Sequence, residues 1–448
     1  MPFGSPLFLV FFVAFFFLYY FAAARRNARL CLLIGGSAVF YGSWGWRFVP
    51  ILGALGTVNF LMAPVIARAS DPRGKRLLLA AVVALDAAPL LFFRSLPRLA
   101  AVPSLLVPVG ISFYTLQCVA YVVDVYRGSL RPAESFAEFM AALVFFPRLA
   151  AGPLARWPAW LPQFARPGVL DRSMVERGFL LAALGLLKMT IGDLLAPVAD
   201  GLFAAPAAYS TLGAWTGLLA FAGQMYGQFA GYSDVAIGLA LLLGFALPPN
   251  FDLPYLSASP IEFWRRWHIS LSSWLYEYLY LPLALTFRAH AAACVFATVL
   301  FAGLWHGIRP TLALYGVYHA LLLIGAYWFF SLPAIRASGI GRSGPARAAA
   351  TALNMYLMLI GFVLFRAGTA GRAWDVWVLL HGGGRFAGTP RELSTMAFAA
   401  AAVGVCHAID WWARAGIPRS RWLLWPATAL GFGVCFAFGA RADFAYFH

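Results

Sequence analysis

What most constrains this chain is the recurrence of uninterrupted apolar runs, each long enough, at about twenty residues, to cross a bilayer as a helix. They fall near 6–24, 49–67, 76–94, 104–125, 178–200, 211–244, 291–309, 311–330, 348–366, 395–412 and 423–440. A water-soluble chain of 448 residues would need far more polar surface than a composition 62% hydrophobic and 11% charged supplies. The expected fold is an all-α polytopic membrane protein with about eleven transmembrane helices, each satisfying its own backbone polar groups in lipid. Shorter or Gly-broken runs at 29–46 and 137–154 are expected to be re-entrant. No internal repeat, low-complexity tract or soluble domain stands out, so residues 1–448 are expected to form one membrane-embedded domain.

Positive charge sorts mostly to one side. RRNAR (25–29), RASDPRGKR (68–76), YRGSLRP (126–132), the stretch from Arg148 to Arg177, Arg265 with Arg266, and Arg336, Arg342 and Arg347 all fall inside if the N-terminus faces outward. Arg94, Arg98, Arg366, Arg372, Arg385 and Arg391 fall outside, so the orientation rests on a majority. Basic residues follow the first apolar run, and no clear cleavage site is present, which fits a retained first span. The net charge of +16, from 33 Lys and Arg against 17 Asp and Glu, is explained by loops meeting the anionic headgroups of membrane lipid. Nucleic acid is not an expected partner, because no basic face with stacking aromatics lies outside the spans. Cys31, Cys118, Cys294, Cys406 and Cys435 lie far apart in apolar segments and read as small core residues.

Several runs carry polar groups that lipid would penalise. Pro108 and Gly110 are followed by Ser112, Tyr114, Thr115, Gln117 and Tyr121, the wall of a polar cavity or a kinked span. The proline-rich stretch 145–164 cannot be one straight helix, and Arg148 and Arg156 there could meet an anionic ligand or lipid phosphate. Gln224, Gln228, Ser233 and Asp234 lie in or next to another span, where Asp234 has a structural bond or a direct chemical role. From Glu262 onward, Trp264, Trp267, Leu271, Trp274, Leu275 and Tyr278 recur at three- and four-residue spacing, which predicts one amphipathic interfacial helix. Arg265 and Arg266 lie off that stripe, placed to clamp phosphates or simply to snorkel, and His268 sits within the aromatic belt.

His306 ends a run, Ala291 to Leu304, that contains no charge. An ionisable group at membrane depth costs about 2.5 kcal/mol or more and is by default a functional candidate. Metal chemistry has no support: there is no HExxH, and His290, His319, His381, His407 and His448 are scattered. A GxSxG elbow, a P-loop and a dinucleotide fingerprint are absent too. What remains is an imidazole flanked by Trp305, Gly303 and Gly307. Such a group can take a proton from a hydroxyl near neutral pH, help worth roughly 10²–10⁴ in rate. That suits acyl transfer from a thioester to an alcohol, although a lone buried histidine is more often a hydrogen-bonded core residue.

The motifs PVGISFYTLQ, AYVVDVYRG, FFPRLAAGPLAR, GYSDVAIGLALLLGF, NFDLPYLS, EFWRRWHISLSSWL, GLWHG, YGVYHALLL and VLFRA occur in this order. In this the chain resembles the membrane-bound O-acyltransferase (MBOAT) family, and within it the bacterial alginate O-acetylation type. The likeness runs from Asn59 to Arg366, which leaves 1–58 and 367–448 as peripheral spans. The resemblance implies a catalytic role for His306 in the membrane interior and for His268 as the second, motif-bearing histidine. His319 matches a commonly present residue to which no role is assigned. The resemblance further implies re-entrant and interfacial helices around a central tunnel, a donor taken from the cytoplasmic side, and delivery to an acceptor outside. In one place the chain departs from the family: where relatives carry a Gly-Asn-Arg-rich basic loop, LPLALTFRAHAAA runs almost directly into the next span, which puts donor contacts from that loop in doubt.

The function expected on these grounds is a bacterial inner-membrane O-acetyltransferase that moves acetyl from acetyl-CoA toward an exopolysaccharide or cell-wall glycan. No metal or permanently bound cofactor is expected. His306 would act as base and His268 would assist at the donor end. Arg265, Arg266 and Trp305 would contact the donor, with Asp234 and Gln228 supporting from behind. A separate periplasmic acetyltransferase is the expected partner for the glycan acceptor. The alternatives are another acceptor, such as teichoic acid receiving D-alanine, a lipid or a protein, and a glycan transporter without covalent chemistry. The transporter predicts two pseudo-symmetric halves with paired broken helices, which the sequence does not show.

Overall fold

A computed structural model of the chain describes residues 1–22, 24–99, 108–166, 171–288, 290–333, 335, 344–384, 388–414 and 421–438. Among the described residues it is helical, with no strand. The helices are α1 (Pro6–Phe21), α2 (Arg26–Gly45), α3 (Val49–Arg68), α4 (Pro72–Leu99), α5 (Ile111–Arg127), α6 (Phe136–Val144), α7 (Phe146–Leu149), α8 (Trp157–Trp160) and α9 (Pro162–Ala165). They continue with α10 (Arg172–Ala204), α11 (Thr211–Leu242), α12 (Pro260–Arg266), α13 (Ile269–Trp274), α14 (Leu281–Thr286), α15 (Ala291–His306) and α16 (Pro310–Ser331). The last are α17 (Gly344–Arg366), α18 (Ala370–Leu380), α19 (Pro390–Arg414) and α20 (Arg421–Phe438). Arg336, Arg342 and Arg385, counted above for orientation, lie outside the described residues, as does the start of the 104–125 run.

Six helical stretches among the described residues are long and apolar enough to cross a membrane: 26–68, 72–95, 172–204, 310–331, 344–366 and 390–413. The protein is therefore a multi-pass membrane protein. Pro6–Phe21 and Ala291–His306 are apolar but shorter. The 29–46 run, expected to be re-entrant, is instead the unbroken 20-residue helix α2, which joins α3 through one 3₁₀ turn. Its glycines do not break it, because helix geometry in lipid leaves the backbone no other partner. By contrast, 137–154 does break, into α6, α7 and a loop. α11 is long enough to span, but its polar residues keep it out of the apolar set. Nearly every residue of α11 from Phe221 to Ser233 is buried, so its glutamines and serine face protein.

The chain divides into two compact units. The first comprises 1–186, 232–248 and 420–448, and the second 187–231 and 249–419. In the first, α1 begins with the Ser5 hydroxyl capping the Phe8 N–H and buries Phe8, Phe12, Phe15 and Tyr19 along one face. Its other face leaves Phe17 and Phe21 exposed, as a lipid-facing helix should. Two polar clusters inside the unit are built across segments. The Asn59 amide donates to Asp86 at 2.6 Å between α3 and α4, both fully buried. Arg148 does not reach lipid phosphate: it is buried, donates to Gln117 Oε1 at 2.9 Å and to the Ala142 carbonyl at 2.7 Å, and lies 4.7 Å over the Trp160 ring. The polar α5 is not kinked; it starts only after Gly110, whose φ of 73° and close approach to the Leu149 carbonyl admit no side chain.

In the second unit α15 and α16 form a tight antiparallel pair. A side chain at Gly303 would lie 2.5 Å from the Leu312 carbonyl and 2.9 Å from the Gly316 nitrogen, so the two backbones touch there. A second adhesion is ionic. The fully buried Lys188 of α10 meets Asp410 of α19 at 2.6 Å, and the Tyr226 hydroxyl of α11 donates to the other carboxylate oxygen.

Candidate active site

The stretch 262–278 is not the single interfacial helix its spacing predicts. α12 stops at Arg266, Trp267 is extended, and His268 adopts a left-handed conformation with φ 47° and ψ 51° before α13 resumes. Beyond α13 the chain loosens into a π-helical stretch, Leu275–Tyr280. The break is held from outside the helix. The Ile269 N–H donates to the Asn250 carbonyl at 2.8 Å, and the Asp252 N–H donates to the Arg266 carbonyl at 2.9 Å, so residues 250–252 clamp both sides of His268. A non-glycine residue with positive φ is costly and persists only where its surroundings over-determine it.

His268 is buried at 2% exposure. Its Nδ1 lies 3.0 Å from the Asn250 side-chain oxygen, and the same oxygen receives the Ser270 N–H at 3.3 Å and the Ser270 hydroxyl at 2.8 Å. The Phe229 ring of α11 stands edge-on to the imidazole, 4.6 Å between centroids. His268 lies outside the spanning helices. Burial pushes its imidazole well below the ordinary histidine value, and His306 pushes it the same way. The two histidines, distant in sequence, belong to the same compact unit.

His306 is the last residue of α15. Sixteen residues rise about 24 Å, short of a hydrocarbon core of about 30 Å, so α15 cannot reach both interfaces. The ring is half-buried rather than sealed, between Trp305 at 4.7 Å and Phe365 at 5.0 Å. Trp305 itself is buried. His319, fully buried on α16, joins the same ring cluster through Tyr315, 4.4 Å away, which in turn packs 5.3 Å from Phe365. On its other side Trp264 meets His319 edge-on at 5.2 Å.

The remaining predicted residues divide. Arg265 is exposed on α12, while Arg266 is tied to Glu262 at 2.7 Å, and Glu262 also holds Arg347 at 2.9 Å. Burial pushes the Glu262 carboxyl up, but the Ala258 N–H and the two guanidiniums together hold it below the ordinary range. Gln228 is buried and donates to Asp193 Oδ1 at 2.8 Å on α10. Asp234 belongs to the first unit and the histidines to the second. Among the described residues no group of three or more His, Cys, Asp or Glu side chains could hold a metal. Sequence reasoning missed Asn250 and Ser270 as partners of His268. The signal was there in PPNFD, where an asparagine follows two prolines and cannot continue a helix.

The fold and the site are those of a multi-pass helical membrane protein with one buried and one half-buried histidine in a single compact unit. Residues 129–365 match the model of MBOAT, the membrane-bound O-acyltransferase family, and the chain belongs to that family and is an acyltransferase. It is 33% identical over 407 residues to "Probable alginate O-acetylase AlgI" of Azotobacter vinelandii, covering 85% of this chain and 78% of that one. The protein of the same name from Pseudomonas fluorescens is 36% identical over 375 residues, covering 82% and 73%. "Peptidoglycan O-acetyltransferase" of Helicobacter pylori is 30% identical over 371 residues, covering 72% and 69%.

Proposed function

We propose that this protein is an inner-membrane O-acetyltransferase that takes acetyl from acetyl-CoA on the cytoplasmic side and passes it through a tunnel toward a hydroxyl of an exopolysaccharide or cell-wall glycan outside. The observation that carries the reading is that His268 and His306, the two motif-bearing histidines, lie within one compact unit, the first buried beside Asn250 and the second half-buried between Trp305 and Phe365. The relatives named for acetylating alginate and peptidoglycan favour acetyl as the group and a glycan as the acceptor.

In this reading the half-buried His306 accepts the proton of the incoming hydroxyl as its oxygen attacks the thioester carbonyl carbon. The C–S bond breaks, and the departing thiolate takes that proton back, so the enzyme ends as it began. The exposed Arg265 meets donor phosphates, and Arg266 does so only by exchanging its bond to Glu262. Trp305 walls the acyl end. Gln228 supports from a distance by pinning α11 to α10. The N-terminus faces outward, and a separate periplasmic acetyltransferase completes delivery to the glycan.

The test is His306→Ala, expressed in place of the native protein. Glycan acetyl content, read by mass spectrometry of envelope polysaccharides, should be abolished while the protein inserts and accumulates normally. Unchanged acetyl content in that variant would refute the assignment.

A further inference from the structure

We propose that Asn250 is a positioning residue that fixes the tautomer of His268, holding the ring with its proton on Nδ1 and its lone pair on Nε2. The inference deepens the functional reading and rests on His268 taking part in the reaction. The argument begins with the amide. Oxygen and nitrogen of an asparagine side chain look alike, and only the bonding network tells them apart. At Asn250 the network is decisive, because the Ser270 backbone N–H, 3.3 Å away, can only donate. The atom it meets is therefore the amide oxygen. The same oxygen stands 3.0 Å from His268 Nδ1, and an oxygen that only accepts requires the ring nitrogen to be the donor. The opposite tautomer would set two lone pairs against each other in a site where Asn250 is 1% and His268 2% exposed.

The backbone makes the arrangement hard to escape. Ile269 donates to the Asn250 carbonyl and Asp252 donates to the Arg266 carbonyl, so the loop carrying the acceptor is tied to both flanks of the residue it orients. The left-handed turn at His268 points the ring at that loop rather than along a helix face. Phe229, edge-on at 4.6 Å, closes the ring against α11. The chemical consequence is directional. In its resting form His268 can receive a proton at Nε2 but has none to give there, so it serves an acidic hydrogen, of a hydroxyl or a thiol, and not a carbonyl oxygen.

The tautomer can be read without turnover. In the full-length protein in bilayers, labelled with ¹⁵N-histidine, the His268 resonances are assigned by their loss in His268→Gln. The expected spectrum has Nδ1 protonated and Nε2 unprotonated. Asn250→Leu should lose that preference, and Ser270→Ala, which removes a neighbouring donor but leaves the oxygen, should keep it. Asn250→Leu should also slow glycan acetylation about 10- to 100-fold, the usual effect of removing the group that orients a working histidine, with Ser270→Ala close to wild type. A wild-type spectrum with the proton on Nε2, or an Asn250→Leu spectrum unchanged from wild type, overturns the proposal. Full acetylation by His268→Gln would instead overturn the functional reading, whatever the spectra show of the tautomer.

Discussion

The buried pair between Lys188 and Asp410 offers the sharpest test of how the second unit is held together. It joins two membrane-spanning helices at 2.6 Å, with side chains 0% and 10% exposed, and the Tyr226 hydroxyl occupies the second carboxylate oxygen. Replacing Lys188 with Met strands a carboxylate in an apolar interior, a loss of about 3–5 kcal/mol. Asp410→Leu strands the ammonium at a similar cost and takes the acceptor from Tyr226, adding about 1–3 kcal/mol. The double variant removes both charges, and swapping a buried pair for apolar side chains is neutral to about 4 kcal/mol favourable. Against that stands the acceptor lost to Tyr226, about 1–3 kcal/mol, so the double variant should lie within about 3 kcal/mol of wild type. The singles summed predict a loss of about 7–13 kcal/mol, and the gap between that sum and the double is the coupling. Thermal unfolding in mild detergent, ranked across the four proteins, reads it directly. Should the double variant melt as low as the worse single, the loss would come from side-chain volume and the electrostatic account would fail.

Two further outcomes follow from geometry and burial. Gly303→Ala forces a methyl to within 2.5 Å of the Leu312 carbonyl, so α15 and α16 must part. Overpacking of this kind costs about 1–3 kcal/mol, and because His306 lies three residues on, glycan acetylation should fall even in protein that remains folded. Full acetylation with an unchanged melting temperature would show that the helix contact is not needed. His268 carries a pH signature: its folded-state value lies below the ordinary one, so the unfolded chain takes up a proton first as pH falls below about 6.5. Its contribution to stability is present above that pH and is lost as pH drops toward the folded value. Melting temperatures compared at about pH 7.5 and about pH 5.5 should therefore fall more for wild type than for His268→Gln. Other charged groups set the background: His306 adds to the downward push on His268, while Glu262 on α12 is engaged by Arg266 and Arg347. Equal falls in the two proteins would remove His268 as the source.

How much of this was legible in the chain follows from the range of the forces involved. Apolar runs predict spans because lipid compatibility is a property of some twenty consecutive residues, and 49–67, 76–94, 178–200, 311–330, 348–366 and 395–412 each fall within a stretch of spanning length. The resemblance carried by WRRWHISLSSWL and LWHG pointed to the family that the match over 129–365 establishes. What local pattern could not show is where one segment is overruled by another. The stripe from Trp264 to Tyr278 asks for a continuous helix, yet an asparagine eighteen residues upstream of His268 takes the histidine out of it. Lys188 and Asp410 are 222 residues apart, so neither charge announces its partner, and each by itself looks like a penalty in a span. Arg148 misled for the same reason: a cation beside prolines suggests a headgroup, while Gln117 of α5 and the Trp160 ring of its own proline-rich stretch enclose it. In an apolar chain the residues that matter most for the site are the few polar ones, and a polar residue in oil is intelligible only with its partner beside it. The sequence therefore marks where His268 and His306 stand, and the tertiary contacts through Asn250, Phe229 and Phe365 determine what each imidazole is able to do.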